Sequence, residues 1–166
     1  RGFEQGYNAQ AAVDEHAQVI VGSRVTQSPV DAHQLEPMIE VLEDNLEQDL
    51  PRRLSADCGF WRPVHPEYLQ AKGIEGYIAT GKIQHGTTPS PAPRGRIPKN
   101  ATARERMARK LRTHTGRAVY AKRKHIVEPV FGQIKQARGF RQISLRGLHN
   151  VTAEWALICL THNLLK

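Results

Sequence analysis

An α/β fold, a mixed sheet flanked by helices, is what this 166-residue sequence predicts, and two observations predict it. Short alternating or β-branched segments interleave with amphipathic ones in the order β-β-α-β-α-β, which calls for helices packed on a sheet. The length and a hydrophobic content of 39% suffice for one ordinary globular domain with a real core.

Taken in order, YNAQAAV (residues 7–13) and QVIVGSRV (residues 18–25) have strand character, and Asp14 to Ala17 between them reads as the turn of a hairpin. Ser28 and Pro29 break the second strand. Leu35, Ile39, Leu42 and Leu46 then recur at helical spacing with acids between them, and Pro51 ends this amphipathic helix. RRLSADCGFW predicts a short strand running into a turn at Gly59, PEYLQAKG a short helix closed by Gly73, and EGYIAT another buried strand. Residues 81–100 are rich in Pro, Gly, Thr and charge and read as a flexible insertion or linker. ATARERMARKLRTH predicts a basic helix covering something negative. Residues 118–139 carry Ile126, Val127, Val130, Phe131 and Ile134 at helical spacing, and VTAEWALICLTHNLLK predicts an apolar helix that belongs in the core. Residues 1–80 thus form the core of the domain, and residues 101–166 supply the helices that complete it. No internal repeat marks a solenoid.

The chain starts at Arg1 with neither a signal-peptide nor a transit-peptide pattern, and reads as a fragment. No apolar run approaches the roughly 18 residues of a membrane span, so a soluble protein without a membrane partner is expected. The two cysteines, Cys58 and Cys159, form no CxxC pair, which argues against a disulfide framework or zinc knuckle and fits a reducing cytoplasm. His16, His33 and His65 are too irregularly placed for a zinc site and read as surface residues.

The formal charge of +8 is unevenly spread. Residues 94–146 carry sixteen Lys and Arg against two acids, whereas the first 93 residues are net acidic. Clustered cations gain affinity by displacing counterions from phosphates, so nucleic acid is the expected partner.

Two acids stand out. Asp57 lies where a strand meets the turn at Gly59, and strand ends are where mixed α/β sheets bind ligands; the commoner use of such an Asp is to hydrogen-bond turn amides. Glu128 sits alone among Arg123, Lys124, Lys135, Arg138 and Arg141. On a continuous helix Lys124, Glu128 and Lys135 fall within about 40° of one another, at the edge of the stripe formed by Val127, Phe131 and Ile134. A carboxylate there can bind a divalent cation while the lysines bind phosphates, or it can be an ordinary i, i+4 partner of Lys124. Pro129 favours a kink or a helix start at this point.

GYNAQAAVDE, SADCGFW, the run from Tyr120 to Arg141 and LRGLHNVTAEWALICLTHNLLK together resemble the C-terminal part of the catalytic domain of DDE-type transposases from bacterial insertion sequences. The resemblance runs nearly end to end. It implies an RNase H-like core in which two Asp and one Glu hold two magnesium ions, with manganese as a substitute. Asp57 would be the second acid and Glu128 the third. The family's signature is Tyr, two residues, Arg, three residues, Glu, six residues, Lys. Tyr120 and Arg123 keep their spacing, as do Glu128 and Lys135, but one extra residue separates Arg123 from Glu128, so either Arg123 or Lys124 fills the Arg position. Tyr120, Arg123, Lys124, Lys135, Arg138 and Arg141 would bind DNA, and Arg146 would extend the track. The first Asp belongs on a strand before the hairpin; that strand is expected to be missing, with Asp14 the one nearby acid and more readily a turn residue.

The implied function is DNA transposition, with metal-dependent cleavage and strand transfer at transposon ends. The partners would be end and target DNA and, in the assembled complex, a second copy of the chain. A DNA-binding remnant without catalysis, or an RNase H-like nuclease, are the other readings, and the fragment alone is expected to be inactive.

Overall fold

A computed structural model describes residues 6–82 and 90–166. Part of the expected linker, residues 83–89, lies outside the described residues.

The chain opens with the expected hairpin, β1 (Asn8–Val13) paired antiparallel with β2 (Ile20–Thr26). The Asp14 carboxylate accepts hydrogen bonds from the amides of His16 (2.9 Å) and Ala17 (2.7 Å), so it builds the turn. Side-chain alternation gives the hairpin two apolar faces. Ala9, Ala11 and Val13 pack toward a cluster of Ile20, Val25, Val130, Ile134, Val151, Trp155, Ile158 and Cys159. Ala12 and Val21 pack toward a second cluster of Leu35, Ile39, Leu42, Ala56, Leu69, Ile74 and Ile78.

Helix α1 (Leu35–Asn45) buries Leu35, Ile39 and Leu42 of the expected stripe, with Met38 beside them, and ends before Leu46, which serves as its C-cap. Strands β3 (Arg53–Ala56) and β4 (Glu75–Ile78) pair in parallel, and α2 (His65–Ala71) makes the crossover between them. Gly73 ends that crossover at φ 74°, which a side chain would resist, and the Ile74 amide folds back onto the Leu69 carbonyl at 2.8 Å.

Helix α3 (Ala103–Arg112) starts at a capping box in which Thr102 and Glu105 satisfy one another's backbone amides. Its cations cover carbonyl oxygens of this same chain: Arg106 reaches Lys99, Arg109 reaches Gly95, and Arg112 reaches Ser90 and Pro91. Helix α4 (His114–Gly132) starts earlier than the sequence pattern indicated and runs through Pro129. Beyond Gly132 the helix widens into a π turn, Gln133–Ala137. Helix α5 (Leu148–Asn163) buries Val151, Trp155, Ile158, Cys159 and His162. Leu157 and Leu160, on its other side, are exposed, so only one face of this apolar helix belongs to the core.

The mixed α/β character is delivered as two strand pairs not hydrogen-bonded to one another. Between them lies a cavity of about 1040 Å³, lined by every residue of β1 and of β3 and walled by α1 and α4. Each of these strands is paired on one side only, so the cavity is flanked by two free strand edges. Among the described residues no helix is long and apolar enough to cross a membrane.

Candidate active site

Asp57 follows directly on Ala56, at the carboxyl end of the parallel pair, where open α/β sheets bind ligands. Its Oδ1 accepts from the Gly59 amide at 2.8 Å and caps the short 3-10 turn Cys58–Phe60. The turn role foreseen for this residue is therefore real. It fixes the carboxylate on a rigid corner while leaving it only half-buried, and Asp57 lines the cavity between the strand pairs.

Helix α4 crosses that corner. Burial pushes the Tyr120 phenol above its ordinary pKa; the Arg123 cation opposes the shift, and the negative charge of nearby Asp57 adds to it. The Arg123 guanidinium carbon lies 5.5 Å from the Tyr120 ring centroid, within cation–π range. Arg123 lines the cavity, and its Nε is buried without a hydrogen-bond partner. Lys124 is exposed and outside the lining. Of the two residues that could fill the Arg position, Arg123 is the one standing with Tyr120 at Asp57.

Glu128 is exposed, and it too lies outside the lining, which takes Val119, Arg123, Ile126, Val127 and Phe131 from the same helix. Lys135 places its Nζ 5.6 Å from the Phe131 ring centroid. Arg138 donates to the Ile158 carbonyl at 3.3 Å and to Thr161 Oγ1, and stacks 4.9 Å from the Phe140 centroid, so it ties the π turn to α5. Arg141 donates to the Lys135 carbonyl at 3.4 Å and to Gln136 Oε1 at 2.5 Å. Arg146 is exposed.

The structure adds polar groups that the sequence reading passed over. Asp31, on a 3-10 turn (Asp31–His33) before α1, accepts at Oδ1 from Asn8 Nδ2 (2.6 Å) and Gln10 Nε2 (2.8 Å). A Cβ built on Gly59 would stand 2.9 Å from Asp31 Oδ2 and 3.0 Å from Asp57 Oδ1, so these two carboxylates flank one small space. Asn8, Gln10, Asp31 and Asp57 all line the same cavity. Gln10 is 6% exposed, and its Oε1 is buried without a partner. The available signal was the strand period: Asn8 and Gln10, two apart on β1, must share a face.

Of the three histidines read as surface residues, His16 and His33 are exposed, but His65 is completely buried. Its Nδ1 donates to the Phe60 carbonyl at 2.8 Å, which closes the turn after Asp57, and its Nε2 lies 3.4 Å from Glu36 Oε1 in poor alignment for a hydrogen bond. Desolvation lowers its pKa. Among the described residues no group of three or more His, Cys, Asp or Glu stands close enough together to hold a metal ion. The cavity nevertheless offers carboxylate and carboxamide oxygens and no imidazole or thiol, a donor set that suits a hard divalent cation such as magnesium or manganese.

No curated protein matches the chain, and no solved structure does. The model of one family, described as Transposase DDE domain, matches residues 1–164. With that match covering nearly its whole length, the chain belongs to the DDE transposase domain family, whose fold is RNase H-like.

Proposed function

We propose that this domain performs metal-dependent cleavage and strand transfer at the DNA ends of a mobile element. The observation that carries the reading is that Asp57, at the carboxyl end of β3, and Arg123 line one cavity, with Tyr120 beside both. Asp57 and Glu128 are the proposed metal ligands, Glu128 approaching from α4. Bound there, divalent ions supply activation of the attacking hydroxyl and stabilisation of the leaving oxygen. Arg123, with a buried Nε still to be satisfied, takes a phosphate oxygen near the scissile bond, and Tyr120 holds its guanidinium in place. Lys124 and Lys135, both exposed, hold the flanking phosphates. The remaining acid is proposed to arrive on a strand filling the space between the free edges of β1 and β3, a reading supported by the cavity that both strands line along their whole length. Without such a strand, activity is expected to be negligible.

In a transposase containing this domain, Asp57→Asn and Glu128→Gln should each lower end cleavage by about a hundredfold or more, the scale of losing a preorganised charge-stabilising group. DNA affinity should hold or rise slightly, because a negative charge facing phosphates is gone. It should still fall with salt by about 0.9 log unit per phosphate contact for each log unit of salt. Cleavage that survives both substitutions would overturn the catalytic assignment. A parent that binds DNA yet never cuts it would favour a DNA-binding remnant.

A further inference from the structure

We propose that Asp31 and Gln10 belong to the metal site, together with Asp57, as a carboxylate and a carboxamide oxygen ligand to the same divalent cation. The proposal rests on the metal-dependent reading above and extends it to residues that reading does not use.

Three placements converge. The Gly59 position is the first: one point stands 2.9 Å from Asp31 Oδ2 and 3.0 Å from Asp57 Oδ1, so the two oxygens are no farther apart than those distances together allow. With magnesium–oxygen bonds of roughly 2.0 to 2.1 Å, opposite ligands of one ion already stand about 4 Å apart, so only a small adjustment brings both oxygens onto one cation.

The second placement is the fixing of Asp31. Asn8 and Gln10 both donate to Oδ1 and point the carboxylate in a set direction, which leaves Oδ2 as the oxygen toward Gly59 and Asp57. Second-sphere hydrogen bonds of this kind orient metal-binding carboxylates. The third is the orphaned Gln10 Oε1. It sits on a side chain only 6% exposed that lines the cavity, and it belongs to the same amide whose nitrogen already touches Asp31. A buried carbonyl oxygen without a donor costs free energy in any fold. Coordination to a hard cation removes that cost and gives the oxygen a role. Gly59 completes the arrangement, because any side chain there would place its Cβ in the space between the acids.

The probe is Mn2+ itself, titrated into the chain and followed by the electron paramagnetic resonance of the free ion. Asp31→Asn should weaken Mn2+ binding tenfold or more, and so should Asp57→Asn. In the unsubstituted chain, substoichiometric Mn2+ should broaden the Gln10 and Asn8 side-chain amide signals in a nitrogen–proton correlation spectrum before other side-chain amides. That broadening places the ion at this corner without any variant having to fold, and the Asp31→Asn titration then separates a ligand from a structural neighbour. If Asp31→Asn binds Mn2+ as tightly as the unsubstituted chain, or if the Gln10 amide stays sharp while Mn2+ is bound, the proposal is overturned. Loss of binding in Asp57→Asn alone would then leave the catalytic reading standing. Indifference of Mn2+ to both substitutions would remove both.

Discussion

His65 shows how one side chain ties the candidate site to the stability of the fold. It is fully buried on α2, and its donation to the Phe60 carbonyl holds the end of the turn that presents Asp57. Burial holds its pKa below the ordinary value of 6.5, mainly by desolvation, although neighbouring Glu36 pulls the other way. In the unfolded chain the imidazole regains its usual affinity, so on acidification the unfolded state takes up the proton first. The stability associated with a neutral His65 is therefore complete above about pH 6.5 and is lost as pH falls toward the folded pKa. Denaturation at a series of pH values falling from about 7.5, one unit above the ordinary imidazole value, should show this decline, and His65→Leu should flatten it while lowering stability at the upper end. An unchanged slope in the variant would assign the acid sensitivity to other groups. None of this was legible in the sequence, where His65 stands between Val64 and Pro66 with no periodic context, and the same holds for Asp31. Asp57 was legible because the strand and the glycine turn around it are local features; Asp31 gains its significance only when the hairpin brings Asn8 and Gln10 over it.

The elements themselves followed from hydrophobic period and punctuation, which is why α2 and all four strands stand where the pattern put them, although α1 stops at Asn45, short of Leu46 and Pro51. The junction of α3 and α4 was less legible, since its determinant is a close approach and not a period. Thr113 ends α3 and caps α4 by accepting from the Gly116 amide, and a Cβ on Gly116 would collide with the Lys110 carbonyl and crowd the Leu111 backbone. Gly116→Ala should therefore cost about 1 to 3 kcal/mol despite alanine's better helix propensity, because rigid backbone has to move. Gly132, near the other end of the same helix, has no atom within 4 Å of its built Cβ. Gly132→Ala should be neutral or stabilising by up to about 1 kcal/mol. Thermal melts of the two variants decide it; equal shifts in Tm would mean that the junction relaxes freely. Junction packing matters to the site because α4 carries both Tyr120 and Arg123 to Asp57.

At the scale of the molecule, the fold revises what the charge count suggests. Of the cations clustered in residues 94–146, Arg106, Arg109, Arg112, Arg138 and Arg141 donate to groups of this same chain, Lys110 pairs with Glu75, and Lys122 pairs with Glu15. The surplus visible in the sequence thus serves partly to fasten α3 and the π turn, and fewer phosphate contacts remain than the composition implies. The thiols of the whole chain are equally unequal. Cys159 is buried on the core face of α5, and desolvation pushes its pKa to about 11, whereas Cys58 is only partly covered and adjoins Asp57 on the 3-10 turn. Thiolate is the reactive form, so a neutral maleimide near pH 7.5 should modify one thiol per folded chain, and the second only after denaturation. Mass spectrometry counts the adducts, and two rapid additions to folded protein would contradict the burial of Cys159. Cys58 is thereby a native reporter: its alkylation rate, read with and without Mn2+ or DNA, registers occupancy of the acidic corner without any engineered label.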